Sequence, residues 1–391
     1  MKQAIILAAG EGRRLRPFTV TKPKAMLSIA GKPMIQYVLE SLAKNGIRNI
    51  ILVVGYQRKQ IFDYVGSGEQ FGVDITYITQ DKQLGTAHAL LQAKRTTENE
   101  FLVVPGDKLI EPDTIAQIAG TSPPALLAKK VNNPLTHGVV TIEKGLVKSI
   151  AEKLARPEGN IINTGIYALN PEVFDYLENE LDIPNALTRM LSEGKRISAI
   201  ETTATWLNVL YPWDILSLNA AILRKIPASQ NGTIESGASL VGSVAVGKGT
   251  VIRPNSYIVG PVVIGEGCEI GPSVCIFPST SIGDNVVVAT FTEIRNSVIA
   301  SDVHIGSGSC VQDSVIDRGC VIGGHFSACS GEADVKVDSE HHVTKIGAML
   351  GEGCRLDNSV TAQPGVIVGN FSQVKSLKLI SGRIPDRSLV V

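Results

Sequence analysis

The sequence predicts an α/β domain built on a mainly parallel sheet, followed by a second domain of stacked short repeats. Two observations support this fold class. Up to residue 226, apolar β-branched runs alternate with segments of helical periodicity, a pattern typical of a parallel sheet covered by helices. From Leu240 onward, an aliphatic residue recurs every six positions, which indicates a repeat architecture.

Composition limits the function classes that the chain can belong to. At 391 residues it is long enough for two or three domains with large cores. Lys plus Arg equals Asp plus Glu at 37 each, which argues against a globally basic nucleic-acid binder. The chain opens directly on a strand without a leader, and no apolar run approaches the roughly 18 residues of a membrane span. We therefore expect a cytoplasmic protein with no nucleic-acid or membrane partner.

The cysteines do not indicate a zinc site, because none of them form a C-x-x-C pair, and a disulfide framework does not suit a protein of this size without a leader. We interpret them as small buried thiols of the second domain. They are Cys268, Cys275, Cys310, Cys320, Cys329 and Cys354.

A strand that ends in a basic, glycine-containing segment is the strongest functional signal. The apolar run Ala4 to Leu7 breaks at Gly10 and Gly12, where bare backbone N–H groups suit phosphate oxygens. The cations that follow predict a bound polyanion; they are Arg13, Arg14, Arg16, Lys22 and Lys24. A Walker A loop is excluded because Gly-Lys-Ser/Thr is absent, and a dinucleotide fingerprint is excluded because its third glycine is absent.

Two more polar clusters follow predicted strands and should share a cleft with this segment. The first begins at Gln80, whose amide both donates and accepts and so matches the edge of uracil or thymine. We assign no catalytic role to the nearby His88, which is expected to open a helix. The second is Gly106-Asp107, where the carboxylate suits Mg²⁺, although a turn or cap aspartate explains the same spacing.

The whole segment Ile5 to Leu27 resembles the signature L-A-A-G-x-G-x-R-L-x-P-x-T-x-x-x-P-K-x-M-L of the sugar-1-phosphate nucleotidylyltransferases. This family includes glucose-1-phosphate thymidylyltransferases and N-acetylglucosamine-1-phosphate uridylyltransferases. The resemblance implies a Rossmann-like nucleotidyltransferase domain that uses Mg²⁺, with Arg14, Lys24 and Asp107 as catalytic residues. It implies nucleotide binding by Leu7, Ala8, Ala9, Gly10, Gly12, Gln80, Gln83, Gly85 and Thr86.

The same resemblance assigns the metal and sugar residues. Trp206 to Asp214 resembles the family segment W-x-D/N-x-x-x-P-W-D, so Asp107 and Asn208 are the implied Mg²⁺ ligands. The implied sugar-phosphate residues are Gly138, Glu152, Lys153 and Asn163. Leu154 and the segment Ile183-Pro184-Asn185 depart from the family's E-K-P and L-T-D, so the choice of sugar stays open.

The six-residue period resembles the hexapeptide repeat of left-handed parallel β-helices, whose inward aliphatics stack into one core. The period slips near Ala300, and Asp334 to Thr344 is expected to be a loop or an inserted hairpin. We predict a nucleotidylyltransferase domain at 1–226, a linker at 227–237 and the β-helix at 238–391. Because similar prisms associate through their flat faces, a homotrimer is expected.

Three functions remain after this reading. The first is transfer of a nucleotidyl group from dTTP or UTP to glucose or N-acetylglucosamine 1-phosphate. The second adds acetylation of glucosamine 1-phosphate, since the layout resembles the bifunctional uridylyltransferase/acetyltransferases; here Ser307 and Cys310 replace that family's histidine and tyrosine, which removes the expected base. The third is a non-catalytic assembly subunit like those of translation initiation exchange factors.

Overall fold

The computed structural model describes residues 1–134, 137–151, 159–204, 206–338 and 340–391. They divide into two compact units. The first comprises Met1–Glu11, Lys22–Met26 and Met34–Asn208, and the second comprises Gly12–Thr21, Leu27–Pro33 and Val209–Val391. The basic segment of the signature is therefore split, because its central part, residues 12–21, belongs to the second unit.

The strands up to residue 208 are short and mostly buried. They are β1 (Gln3–Ala8), β2 (Ser28–Ile29), β3 (Lys32–Pro33), β4 (Asn49–Val54), β5 (Asp74–Thr79), β6 (Phe101–Pro105), β7 (Lys108–Leu109), β8 (Ala125–Lys130), β9 (Val139–Glu143), β10 (Leu146–Ala151), β11 (Ile161–Leu169), β12 (Ser198–Thr202) and β13 (Leu207–Asn208). In the described part of the first unit, nine of them form one sheet in the order β5-β4-β1-β6-β11-β8-β12-β10-β9.

This sheet has a parallel half and a mixed half. Strands β5, β4, β1 and β6 all run in the same direction, which matches the strand-helix alternation of the sequence. Strand β11 runs antiparallel to both of its neighbours β6 and β8, and β9 with β10 forms an antiparallel pair. The predicted nucleotide residues lie at or after the ends of strands in the parallel half, whereas two of the predicted sugar residues, Gly138 before β9 and Asn163 in β11, belong to the mixed half.

Helices cover both faces of the sheet because successive strand side chains point to opposite sides. These helices are α1 (Met34–Lys44), α2 (Arg58–Val65), α3 (Thr86–Gln92), α4 (Pro112–Ala119), α5 (Phe174–Leu177) and α6 (Ile183–Ser192), whereas α7 (Asp214–Leu223) belongs to the second unit. Along β1, Ile5 faces the core shared with α3, α5 and α6, whereas Ala4 and Ile6 face the core shared with α1, α2 and α4. The first unit is thus a three-layer, doubly wound α/β fold.

The second unit is dominated by three stacks of parallel strands. The first stack is β14 (Ser229–Gln230), β17 (Val244–Val246), β20 (Val262–Ile264), β23 (Thr280–Ile282), β26 (Val298–Ile299), β29 (Val315–Ile316), β34 (Met349–Leu350), β37 (Ile367–Val368) and β40 (Arg383–Ile384). The second is β15 (Thr233–Ile234), β18 (Val251–Ile252), β21 (Glu269–Ile270), β24 (Val287–Val288), β27 (His304–Ile305), β30 (Val321–Ile322), β35 (Arg355–Leu356), β38 (Gln373–Val374) and β41 (Leu389–Val390). The third is β16 (Ser239–Val241), β19 (Tyr257–Val259), β22 (Cys275–Ile276), β25 (Glu293–Arg295), β28 (Cys310–Gln312), β31 (Ser327–Ala328), β36 (Thr361–Ala362) and β39 (Leu379–Ile380).

These three sheets are those of the predicted left-handed β-helix, which we call the prism. Its aliphatic side chains stack in register, as in the buried series Ile252, Ile270 and Val288. The slip of the repeat is visible in the pairing: Ile264 pairs with Ile282, but Ile282 pairs with Ile299, one residue earlier than the repeat requires. The stacked core therefore tolerates a coil that is one residue shorter.

The expected insertion is a hairpin, formed by β32 (Gly331–Val337) and β33 (Glu340–Ile346). The first strands of the prism, β14 and β15, already lie within residues 227–237, the range predicted as a linker. Their pairing with β17 and β18 gives this range the hydrogen bonds of the first coil.

The interpretation of the cysteines is confirmed for three of them and is wrong for one. Cys268, Cys320 and Cys354 are buried in the prism core. Cys275 and Cys310 are half-buried, and Cys329 is exposed because it lies just beyond the end of β31. Among the described residues, no helix combines the length and the apolar character of a membrane-spanning segment.

The stacked core predicts how the prism responds to truncation of its side chains. Ile276→Ala, at a fully buried position, should lower the free energy of unfolding by about 2–5 kcal/mol through lost burial and a cavity. Val321→Ala is the matched control, because Val321 is 47% exposed on its strand and should cost about 1 kcal/mol or less. Urea unfolding followed by circular dichroism measures both values, and equal losses would contradict the assignment of Ile276 to the core.

Candidate active site

The carboxyl ends of β1 and β6 lie side by side and bring two predicted segments together. Leu7 is opposite Pro105 in the parallel register, and the N–H of Gly106 donates to the carbonyl oxygen of Leu7 at 2.9 Å. A Cβ atom at Gly106 would lie 2.9 Å from the Cβ of Ala8. Glycine at residue 106 thus permits the close approach from which Asp107 leaves the sheet.

Lys24, Asp107 and Asn208, all in the first unit, form one polar cluster. The ammonium of Lys24 lies 2.7 Å from a carboxylate oxygen of Asp107 and donates to Oδ1 of Asn208 at 3.4 Å. Antiparallel pairing of β13 with β7 puts Asn208 opposite Lys108, the residue after Asp107. A catalytic residue and two metal ligands predicted from separate parts of the sequence therefore converge on one point.

The charge state of this cluster follows from its surroundings. Burial by itself would raise the pKa of Asp107, but the nearby ammonium groups of Lys24 and Lys108, with hydrogen bonds from Lys24 and the backbone, lower it below its ordinary value. Asp107 is therefore a carboxylate throughout the neutral range.

The donor set of the cluster fits a magnesium ion. Asp107 supplies a carboxylate oxygen and Asn208 supplies an amide oxygen, and both already contact one cation, the ammonium of Lys24. Mg²⁺ prefers oxygen ligands and binds through only one or two carboxylates, completing its shell with water and phosphate oxygens. In the described residues no group of three or more His, Cys, Asp or Glu side chains is arranged to hold a metal.

The predicted base-binding residues Gln80 and Gln83 lie at the end of β5. Gln80 is buried, and its Nε2 atom donates to the carbonyl oxygen of Gly85 at 3.1 Å and lies 2.9 Å from Nδ1 of His88. The side chain of Gln83 donates back to the carbonyl oxygen of Gln80 at 3.2 Å. These contacts fix the orientation of the Gln80 amide. His88, in the first turn of α3, therefore supports the Gln80 side chain.

Gly85 and Thr86 join the start of α3 to the start of α6. Gly85 has a φ of 119°, and an added Cβ would lie 2.1 Å from the carbonyl oxygen of Leu181, so only glycine fits. The hydroxyl of Thr86 donates to Asp182 at 3.1 Å and accepts from the N–H of Ile183 at 3.0 Å. The Thr86 side chain therefore serves to cap α6, and Asp182 is a partner that the sequence did not single out.

Two of the predicted sugar residues are adjacent in the mixed half of the sheet. The N–H of Asn163 donates to the carbonyl oxygen of Gly138 at 2.8 Å. The amide of Asn163 donates to the hydroxyl of Tyr167 at 2.8 Å and accepts from the N–H of Gly165 at 3.0 Å, which holds a turn whose Gly165 has a φ of 82°. The other two predicted sugar residues, Glu152 and Lys153, lie outside the described residues.

Lys108 connects this turn to the polar cluster of Lys24, Asp107 and Asn208. The sequence analysis did not identify it. Its ammonium donates to the carbonyl oxygen of Thr164 at 2.6 Å and lies 4.8 Å from the centre of the Trp206 ring. The Trp206 ring in turn contacts His137 edge to face, with ring centres 5.2 Å apart. The indole N–H of Trp206 is buried without a hydrogen-bond partner among the described residues. The only sequence signal for Lys108 was its position directly after Asp107.

The remaining predicted nucleotide residues follow β1. Ala8 and Ala9 are buried, and the carbonyl oxygen of Ala9 accepts from the N–H of Tyr56 at 3.2 Å. Gly10 is exposed, and an added Cβ would meet nothing within 4 Å, so its surface is open. Gly12, with a φ of 70°, opens the part of the signature that belongs to the second unit.

Residues 12–21, which we call the signature loop, make several contacts within the second unit. The hydroxyl of Thr19 is buried and donates to the carbonyl oxygen of Gly12 at 2.8 Å, which closes the loop on itself. Arg14 lies in a short 3-10 helix, and its Nε atom is 3.3 Å from a carboxylate oxygen of Asp338 at the tip of the hairpin. Both side chains are about half exposed, so this ion pair holds Arg14 only weakly.

Comparison with known families and proteins supports the assignment of the first domain. The family described as Nucleotidyl transferase matches residues 3–225, and the family described as GMPPB C-terminal domain matches residues 258–346. The chain is 38% identical to the Bifunctional protein GlmU of Methanococcus maripaludis, over 99% of this chain and 96% of the relative. It is 33% identical to the Bifunctional sugar-1-phosphate nucleotidylyltransferase/acetyltransferase of Sulfurisphaera tokodaii, over 95% of both chains.

A solved structure supports the same fold. The structure is from Bacillus anthracis and is described as a glucose-1-phosphate thymidylyltransferase in complex with sucrose. It is 28% identical to this chain with a TM-score of 0.52, and the match covers 58% of this chain and 97% of that one. The hypothesis of a non-catalytic assembly subunit gains no support from these relatives.

The environment of His137 predicts its titration. Burial, with a smaller contribution from the Lys108 ammonium, lowers the pKa of His137 from 6.5 to about 4. The ring is neutral at pH 7, so the unfolded chain takes up this proton first as the pH falls. The contribution of His137 to stability is therefore complete above about pH 6.5 and decreases towards pH 4.

Because Trp206 contacts the His137 ring, its fluorescence should report this protonation. In a Trp213→Phe background, which leaves Trp206 as the single tryptophan, we expect a fluorescence transition with a midpoint near pH 4 while circular dichroism still shows folded protein. Adding His137→Gln should remove the transition. A midpoint near pH 6.5 would contradict the buried, neutral ring.

Proposed function

The chain belongs to the nucleotidyl transferase family, and on this premise we propose that it transfers a nucleotidyl group from dTTP or UTP to a sugar 1-phosphate, glucose or N-acetylglucosamine 1-phosphate. The products are the nucleoside-diphosphate sugar and pyrophosphate. The observation that carries this proposal is the convergence of Lys24, Asp107 and Asn208 in the first unit. Asp107 follows the end of β6 and Asn208 pairs with β7, the strand that comes next, at an edge of the sheet where ligands of α/β folds bind.

The proposed reaction is an in-line displacement at the α-phosphorus of the nucleotide. An oxygen of the sugar 1-phosphate forms the new P–O bond, and the bond to the β-phosphate breaks with release of pyrophosphate. Because the attacking phosphate is already an anion, no side chain has to remove a proton. Catalysis then consists of positioning two anions and neutralising charge on the phosphates.

The side chains divide this work by their chemistry. Lys24 and Arg14 carry the positive charges for the triphosphate, and Lys24 is the better ordered of the two because its side chain is only 13% exposed. Asp107 and Asn208 would hold Mg²⁺, which when bound supplies positive charge at the phosphate oxygens. Asp107 is suited to this by its lowered pKa, which keeps it anionic under assay conditions.

We assign recognition of the base to Gln80 and of the sugar to Asn163, whose side chains are oriented by hydrogen bonds to neighbouring residues. Gln80, oriented by Gly85 and His88, would read the pyrimidine edge. Uracil and thymine differ by one methyl group, so discrimination between them is expected to be modest. On the sugar side, Asn163 and Gly138 would line the site together with Glu152 and Lys153. A grid of triphosphates against sugar 1-phosphates, scored by pyrophosphate release, identifies the preferred pair.

Two further expectations from the sequence stay predictions. Association of prism faces into a homotrimer would bury exposed side chains such as Tyr257 and Leu379, which lie on the third stack. Sedimentation equilibrium would measure the mass, and a monomer would contradict the trimer. The second of these predictions is a cytoplasmic location.

The role of Asp107 is tested by an isosteric change. Asp107→Asn removes the negative charge that pairs with Lys24 and would hold the metal, so kcat/KM should fall by about 10³-fold or more. The measurement is coupled pyrophosphate release at saturating magnesium. Asp113→Asn is the matched control, because Asp113 is exposed in the first turn of α4 and should retain wild-type kinetics. Near-wild-type activity of Asp107→Asn would contradict the metal and charge assignment.

A second activity, acetyl transfer by the prism, is favoured by one observation. The relatives that span the whole chain are described as bifunctional, and one of them as an acetyltransferase. Ser307 stands where the bifunctional family has its histidine, but the next coil supplies an imidazole. An added Cβ at Gly308 would lie 2.7 Å from Nδ1 of His325, so this exposed ring rests against Gly308, beside Ser307. We therefore propose His325 as the base for an amine acceptor.

Acetyl transfer is tested by release of CoA from acetyl-CoA in the presence of glucosamine 1-phosphate. We expect release by the wild-type protein and its loss in His325→Gln, with pyrophosphate release unchanged. His304→Gln, on an exposed strand position of β27, is the matched control and should keep both activities. CoA release that persists in His325→Gln would exclude His325 as the base, and no release by the wild type would exclude the activity.

A further inference from the structure

Side chains of the prism and of its inserted hairpin, which lie far away in sequence, hold the signature loop. The amide of Asn370 donates to the carbonyl oxygen of Pro17 at 3.0 Å. The hydroxyl of Thr21 donates to a carboxylate oxygen of Glu352 at 2.5 Å. Asp338 completes the set through its ion pair with Arg14. The loop and the prism residues all belong to the second unit.

Asn370 makes the strongest of these contacts because it is 1% exposed and fully hydrogen-bonded. Its Oδ1 atom accepts from the N–H of Glu352 at 2.8 Å, and its amide also donates to Asp386 at 3.1 Å. The side chain is therefore fixed by the coils on either side before it reaches Pro17. A buried donor that loses its acceptor costs about 1–3 kcal/mol, so Asn370 and the Pro17 carbonyl hold each other in place.

The three contacts differ in what they can contribute. Asn370 and Glu352 hold the backbone and the far end of the loop through buried or half-buried bonds. The pair between Asp338 and Arg14 is exposed and weak, which leaves Arg14 able to turn towards an anion. The anchoring is thus rigid where the loop meets the prism and loose at the cation that we expect to bind phosphate.

We propose that the prism positions the signature loop for the nucleoside triphosphate, with Asn370 as the principal positioning residue and Glu352 as its support. This inference rests on the proposed function, since it assigns to the second domain a part in the first domain's reaction. A displacement of about 1 Å in a group that orients a reacting substrate can cost about 100-fold in rate. Loosening the loop should therefore change the kinetic constants for the nucleotide much more than those for the sugar 1-phosphate.

The test uses full-length variants with a matched control. Asn370→Ala removes the bond to Pro17 together with two inter-coil bonds, those to the N–H of Glu352 and to Asp386. Asn358→Ala removes one inter-coil bond of the same kind and none to the loop, because Oδ1 of Asn358 accepts from the N–H of Gly324 at 2.8 Å. We expect kcat/KM for the triphosphate to fall about 10-fold or more in Asn370→Ala and less than twofold in Asn358→Ala. KM for the sugar 1-phosphate should change less than twofold in both.

A second measurement reports on the loop without relying on activity. Arg13 and Arg14 are exposed trypsin sites within the loop, and release of the anchor should speed cleavage there. We expect faster loop cleavage in Asn370→Ala than in Asn358→Ala, identified by mass spectrometry of the fragments. Glu352→Gln keeps an acceptor oxygen for Thr21 and should retain activity, whereas Glu352→Ala should show faster loop cleavage and a lower kcat/KM for the triphosphate, as Asn370→Ala does.

The outcomes separate this inference from the proposed function. A wild-type protein that releases no pyrophosphate with any substrate pair would overturn the proposed function, and the positioning role with it. An active wild type whose Asn370→Ala variant matches Asn358→Ala in nucleotide kinetics would overturn the inference alone. Equal loss of nucleotide and sugar kinetics in Asn370→Ala would also overturn it, because that result indicates general damage to the fold.

Discussion

The close approach of β1 and β6 is the constraint on which the candidate site depends. Leu7 and Pro105 are paired, and the absence of a side chain at Gly106 lets the chain leave the sheet against Ala8. Asp107 therefore emerges beside the start of the signature segment instead of one turn further away. The short pairing of β7 with β13 then brings Asn208 to the same point. Strand pairing therefore fixes the positions of site residues that lie far apart in the sequence. Paired strands hold these positions more rigidly than loops would.

Lys24 satisfies the electrostatic requirement that this geometry creates. The Lys24 ammonium contacts both a carboxylate oxygen of Asp107 and the amide oxygen of Asn208, and so supplies the positive charge that a partly buried carboxylate requires. In the proposed reaction Mg²⁺ would take these two oxygens as ligands, and the long side chain of Lys24 would then be available to phosphate oxygens. Lys24 would thus have both a structural and a chemical role.

Much of this could be predicted from the sequence, and the exceptions have physical causes. The strand-helix alternation and the six-residue period are local patterns, so the two folds, the hairpin and even the slip of the repeat followed from them. Contacts such as that between Asn370 and Pro17 could not be predicted, because they depend on how stacked coils bring residues together that no periodicity connects. The position of Lys108 was missed for the same reason, because its contacts with Thr164 and the Trp206 ring decide it.

The anchoring of the signature loop changes how the two domains should be understood. A loop that binds a flexible polyanion has to expose its cations, and exposed cations cannot be ordered by burial. Here hydrogen bonds to the loop backbone order the loop. The Thr19 hydroxyl bonds to the carbonyl oxygen of Gly12, and the buried amide of Asn370 bonds to that of Pro17. Arg14, by contrast, is left in a weak, solvent-exposed pair. A prism that served only for assembly would have no need of a buried amide directed at the Pro17 carbonyl group, so we assign to the repeat domain the support of the signature loop as well.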